Sequence, residues 1–100
     1  MRIDWSELAR EDLRDLQRYI AKDSVHYARQ FAGRVITAVE RLKDFPESGR
    51  QVPEARSSAI REILIQEYRV IYQLELPERV VILAVVHGRR DLTRKETQPW

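Results

Sequence analysis

The residues able to do chemistry gather near the end of the chain. His87-Gly88-Arg89-Arg90-Asp91 follows an apolar run, Val80 to Val86, and Arg69 sits in the segment before it, Tyr68-Arg-Val-Ile-Tyr-Gln-Leu. Histidine is the side chain that gives and takes protons near neutral pH, so His87 is a candidate acid or base. Arginine grips carboxylate or phosphate through a planar fork of donors, which makes Arg61, Arg69, Arg89 and Arg90 candidates for holding an acidic partner. Each has a plainer reading. Asp91 can pair with one arginine of the tail, and Arg61 and Arg69 with Glu62, Glu67 or Glu75; exposed pairs of this kind contribute little stability and leave binding open. His87 reads first as a strand-end residue bonded to backbone while Gly88 turns the chain. His26, near the start of a helix, reads as a surface residue. No His, Asp and Glu cluster has ligand spacing and cysteine is absent, so neither a metal nor another cofactor is expected.

Those groups need a scaffold, and periodicity supplies one. Arg2 to Trp5 alternates, with Ile3 and Trp5 on one side, and reads as a first strand. Ser6 suits a helix cap. Ala9, Leu13, Leu16 and Ile20 then recur at helical spacing, predicting a helix from about Ser6 to Lys22 with Arg10, Arg14, Asp15 and Arg18 outside. Asp12 and Asp15 read as surface ion pairs rather than paired catalytic carboxylates. Asp23 and Ser24 break the pattern and cap a second helix, about Ser24 to Asp44, with Ala28, Phe31, Val35, Ala38 and Leu42 as its stripe. So short a joint makes an antiparallel helix hairpin. Gly33 within that helix costs about 1 kcal/mol relative to Ala, and a close helix approach would account for it.

Phe45-Pro46 ends the helix, and Pro46 to Ser58 reads as an ordered loop. Ala59 to Ile65 is a strand, Gln66-Glu67 an irregular turn, and Tyr68 to Glu75 a strand with Tyr68, Val70, Tyr72 and Leu74 toward the helices. After a Pro-marked turn at 76–79, Val80 to Val86 is apolar throughout, as in a strand covered on both faces. The expected fold is α+β: an N-terminal strand, an αα-hairpin, then three antiparallel strands forming one sheet with the helices on one face. The opposite face should carry Arg69 and Arg61. Residues 1–100 read as a single domain with a short basic tail from about 88.

Bulk properties bound the function. The 43% hydrophobic content excludes a disordered chain. The net charge of +2 comes from 18 basic and 16 acidic residues, so the whole molecule is not built for non-specific nucleic-acid binding. The N-terminus lacks the apolar block of a signal peptide, and the longest apolar run is far too short to span a bilayer, so a cytoplasmic protein with no membrane partner is expected.

The chain resembles the RelE/ParE superfamily of bacterial type II toxin–antitoxin systems over nearly its whole length. The matching pieces are Trp5-Ser-Glu followed by Glu11-Asp-Leu, Tyr19-Ile-Ala, Phe45-Pro-Glu-Ser-Gly-Arg, Ile60-Arg-Glu-Ile, Tyr68-Arg-Val-Ile-Tyr and Val86-His-Gly-Arg-Arg-Asp. The resemblance implies a cytoplasmic toxin, held in a hetero-oligomer by a cognate antitoxin through which alone it reaches operator DNA. RelE-like members cut mRNA on the ribosome, which needs a base, an acid and cations around the phosphate. ParE-like members inhibit DNA gyrase without that set. The hairpin wording, the His-Gly-Arg-Arg-Asp ending and a tail without tyrosine place the chain nearer ParE, with no catalytic residue favoured. In the nuclease alternative, Arg69, His87 and Arg89 would form the site. A third reading keeps the fold and antitoxin binding without toxicity.

Overall fold

Two serines start the two helices. Each has an extended backbone and accepts a hydrogen bond from the N–H three residues on, Ser6 from Ala9 at 3.0 Å and Ser24 from Tyr27 at 3.1 Å. A side-chain acceptor there satisfies one of the free donors of a helix's first turn. The computed structural model describes all 100 residues, and in it these caps open α1 (Glu7–Ala21) and α2 (Val25–Glu40). Three residues separate the helices, which therefore fold back on each other. α2 ends four residues before the predicted Asp44, tightening into a 3-10 turn, Arg41–Lys43, that keeps Leu42 buried.

Five strands follow the order β1-β5-β4-β3-β2: β1 (Arg2–Trp5), β2 (Arg50–Gln51), β3 (Ile60–Ile65), β4 (Tyr68–Glu75) and β5 (Arg79–His87). The α+β arrangement is the one expected from the sequence. The direction of β1, left open by the sequence, is parallel to β5. Two details differ from the expectation. Arg50 and Gln51, inside the predicted loop, pair with Glu62 and Arg61 as a fifth strand too short to carry any periodicity. The turn at Gln66-Glu67 is a tight two-residue hairpin rather than an irregular one, since Ile65 pairs directly with Tyr68; Gln66 takes the left-handed φ of 54° that such a turn asks of its first residue. No helix is long and apolar enough to cross a membrane.

The helix side of the sheet buries Val70, Tyr72, Val80, Ile82 and Val85 against Phe31, Val35 and Val39. The other face was expected to carry Arg69 and Arg61, with no cover named for it. Instead Ile60, Ile71, Ala84 and Val86 form a second core, closed by Val52 of the loop and by Leu92 and Trp100 of the tail. The expected pairing of Arg61 with Arg69 on that face also fails. Cross-strand partners share a face. Arg61 pairs with Tyr72, on the helix side, whereas Arg69 lies three residues earlier on β4 and so on the opposite face.

β5 carries one extra residue. Ile71 pairs with Ala84 and Tyr72 with Ile82, so Leu83 has no counterpart. A bulge of this kind shifts the alternation by one. Ile82 and Val85 thus face the helices, Ala84 and Val86 the second core. Beyond Ile82 the outer edge of β5 has no strand neighbour, and α1 covers it. Ser6 Oγ donates to the Leu83 carbonyl at 3.0 Å, and the Asp12 carboxylate accepts the Val85 N–H at 2.9 Å. Asp12 is therefore a strand-edge acceptor rather than a surface ion pair, and its partial burial pushes its pKa up. Gly33 has open space where a Cβ would stand, so no close helix approach explains it.

Candidate functional site: a cleft at the end of the sheet

The β3–β4 turn and the end of β5 meet at one edge of the molecule. Gly88 N–H donates to the Glu67 carbonyl at 2.7 Å, drawing the start of the tail against the turn. A cleft of about 460 Å³ opens there, lined by Arg50, Glu54, Glu67, Tyr68, Arg69, His87 and Arg89 among others. Arg69 is 5% exposed. Its two terminal nitrogens engage both oxygens of Glu54 at 3.0 and 2.7 Å, and its Nε engages Glu62. Glu62, 1% exposed, also takes Arg50 Nε at 2.6 Å. The result is an alternating chain, Arg50–Glu62–Arg69–Glu54. Bidentate pairing of this kind is the strong form of the arginine–carboxylate contact. The Glu54 carboxylate drives the Arg69 pKa further up, and Arg69 in turn holds Glu54 below the usual carboxylate range.

This alters the expected role of Arg69. Three of its five N–H donors, one on each nitrogen, are taken by carboxylates, so the Arg69 charge is balanced beneath the surface by Glu54 and Glu62. Glu62 was a foreseeable ally, because alternation puts it diagonally across from Arg69 on one face. Glu54 was not, since its loop carries no periodic signal.

His87 stands on β5 opposite Tyr68, and its ring meets the Tyr68 ring edge-on at 5.5 Å. The bulge puts His87 on the helix side, so it leaves the sheet from the face opposite Arg69. Its Nδ1 accepts the Arg89 N–H at 3.0 Å, the strand-end role expected of it. Nε2 is left free at the exposed rim. Arg89 and Arg90 are both exposed. Asp91 pairs with neither: it accepts from Thr93 and lies 3.9 Å from Arg94, so the expected staple forms within the tail. Arg89 lines the cleft, whereas Arg90 turns toward α1, where its charge acts on Asp12. Arg61 lies elsewhere, donating to the carbonyls of Ser58, Glu47 and Gly49 and so tying down the loop. The structure thus gathers His87, Arg89 and the neutralised Arg69, and leaves Arg61 and Arg90 out. No three His, Asp or Glu side chains are grouped so as to hold a metal.

The family model for the ParE toxin of the type II toxin–antitoxin system parDE matches residues 3–92. The chain belongs to the ParE toxin family. It is 32% identical over 90 residues to a protein of Sinorhizobium fredii (strain NBRC 101917 / NGR234) named "Putative toxin Y4kP", covering 90% of this chain and 91% of that one. Among solved structures it resembles the chromosomal ParDE system from P. aeruginosa, with a TM-score of 0.70 and 16% identity over 87% of this chain and 95% of that one; at that identity the likeness concerns the fold. Within this ParE-family fold, the residues that sequence reasoning missed are Arg50 and Glu54, while Glu67, expected only as an arginine's ion-pair partner, lines the cleft without one. Each comes from a loop, a turn or the two-residue strand, where no pattern announces a position.

Proposed function

We propose that this ParE-family chain is a toxin that inhibits DNA gyrase by binding it, with no chemistry of its own, and that a cognate antitoxin neutralises it in the cytoplasm. The observation that carries this reading is the state of Arg69. Cleavage of an RNA phosphodiester needs free positive charge at the phosphate and an acid–base pair beside it. Here the buried guanidinium is neutralised by Glu54 and Glu62, and His87 projects from the other face of the sheet. An RNA phosphate approaching Arg69 would meet a guanidinium that is 5% exposed and already balanced by the Glu54 and Glu62 carboxylates. Arg89 and Arg90 stay free to engage acidic groups of a protein partner, gyrase or antitoxin. The membership in a parDE toxin family supports the gyrase assignment.

Two assays on the purified full-length chain decide between the readings. Supercoiling by gyrase should stop at micromolar toxin, and mRNA in a translating extract should stay intact. Normal supercoiling alongside cut mRNA would establish the nuclease reading through Arg69, His87 and Arg89 instead. Co-expression of the acidic product of an adjacent reading frame should restore growth.

A further inference from the structure

A second concavity, of about 280 Å³, lies on the other side of the β3–β4 turn, where the tip of the helix hairpin meets it. Its character differs from that of the basic corner. Tyr68 and Phe31 form the floor, their rings edge-to-face at 5.0 Å. Tyr19 and Tyr27 stand at the rim, each 64% exposed. Asp23 and Glu67 line it too, beside Ile20, Ser24, Gln30 and Gln66, and neither acid takes part in any ion pair of the chain.

Tyr68 marks the cleft as unfinished. The residue is 7% exposed, yet its hydroxyl makes no hydrogen bond within the chain. Tyr72, four residues on, shows the usual solution: its hydroxyl donates to the Pro46 carbonyl and accepts the Gly49 N–H, both at 2.9 Å. Every fully occluded side-chain polar atom in the molecule is bonded, so the unbonded Tyr68 oxygen is not fully occluded. Tyr68 lines this concavity with Tyr19, Tyr27 and Phe31, and its burial there pushes the pKa of its hydroxyl up.

We propose that this cleft is a docking site for a partner protein and takes one arginine or lysine side chain of that partner. Aromatic faces attract cations, and two unpaired carboxylates beside them add full negative charge. The chain already uses this chemistry at the rim, where Lys22 Nζ lies 5.9 Å from the Tyr19 ring centre. An acidic group entering would meet Asp23 and Glu67. A purely apolar one would desolvate them without compensation. A basic side chain satisfies both carboxylates, and a guanidinium can also donate to the Tyr68 hydroxyl. The volume falls below that of ordinary small-molecule pockets, and exposed tyrosines are typical anchors of protein interfaces. The inference goes beyond the gyrase assignment and does not depend on it. The polarity is opposite to that of the Arg89 corner, so the two sites suit different segments.

The test is a titration of the isotope-labelled full-length chain with the peptide acetyl-Gly-Arg-Gly-amide, followed by amide and aromatic NMR shifts. Saturable shifts should concentrate at Tyr19, Tyr27, Glu67 and Tyr68. The same peptide with citrulline should bind roughly fivefold or more weakly, and one with glutamate should leave these signals unmoved. Tyr27→Ala and Glu67→Gln, at exposed positions, should each weaken the arginine peptide by a similar factor with an unchanged amide spectrum elsewhere. Absence of saturable shifts at the cleft, equal binding of the citrulline peptide, or full binding by both variants would overturn the proposal.

Discussion

One face of the sheet is sealed by two capped helices over a cluster of twelve buried residues; the other is sealed by a loop and a tail over six. The first cluster is made of side chains that repeat with a helix or a strand. The second joins Ile60, Ile71, Ala84 and Val86 of the strands to Val52 and Leu92, each on an irregular segment. The difference extends to charge. The helix face buries only apolar and tyrosine side chains, while the tail face also holds Glu62 and Arg69. A face closed by regular elements can rely on repetition. One closed by irregular chain is held by particular groups, and here an ion network does part of that work by tying the loop at Glu54 to the sheet at Arg69.

The largest effects should come from breaking each face at its centre. Phe31→Ala on the helix side should cost roughly 3–5 kcal/mol, as large aromatic truncations do. Glu62→Ala should cost as much while removing only a single methylene besides the carboxylate, because it strips one carboxylate from a buried guanidinium, a loss of roughly 3–5 kcal/mol. Urea denaturation measures both. If Glu62→Ala behaves like a surface change, the network is not what holds the second face.

The network also predicts a pH response. The Glu54 carboxyl ordinarily titrates near 4.5, and Arg69 lowers it in the fold. An acid lowered on folding contributes stability that is complete above its unfolded value and is lost as pH falls through the folded value. Melting temperature should therefore fall below about pH 4.5. Glu54→Gln should flatten that limb, leaving the slope due to Asp4 and Asp91, whose carboxyls are lowered by Arg79 and Thr93.

Leu92→Ala should fall at the low end of its class, about 2 kcal/mol, because a tail can settle over a small void more easily than a helix can. A cost equal to that of Phe31→Ala would mean that the tail is as rigid as the hairpin. Asp12→Ala leaves the Val85 N–H without an acceptor and should cost about 1–3 kcal/mol, with faster amide exchange at Val85 as its signature. The smallest expected change is a gain: Gly33→Ala, with open space at the Cβ position, should add about 1 kcal/mol.

How much could be read in advance follows the same division. Ser6 and Ser24 announced the helices, and the alternation of Tyr68, Val70 and Tyr72 announced the face they meet. That Val80 to Val86 is covered on both faces was legible, but not which residue faces which cover, because the run is apolar on both sides. Such a run fixes neither face nor register, so the extra residue at Leu83 left no mark in it. That residue decides the site. Without it, His87 would share a face with Arg69; with it, the imidazole rests on Tyr68 beside the helices.

Local chemistry in the chain settled the helix pair, the last three strands and the presence of arginines around the final one, since caps and periodicity act between residues close in sequence. Which of those arginines is free was decided only in the folded molecule. Glu62 and Arg69 sit on neighbouring strands, but Glu54 comes from a loop without periodicity, and the buried setting that strengthens their attraction exists only once that loop has closed over the sheet.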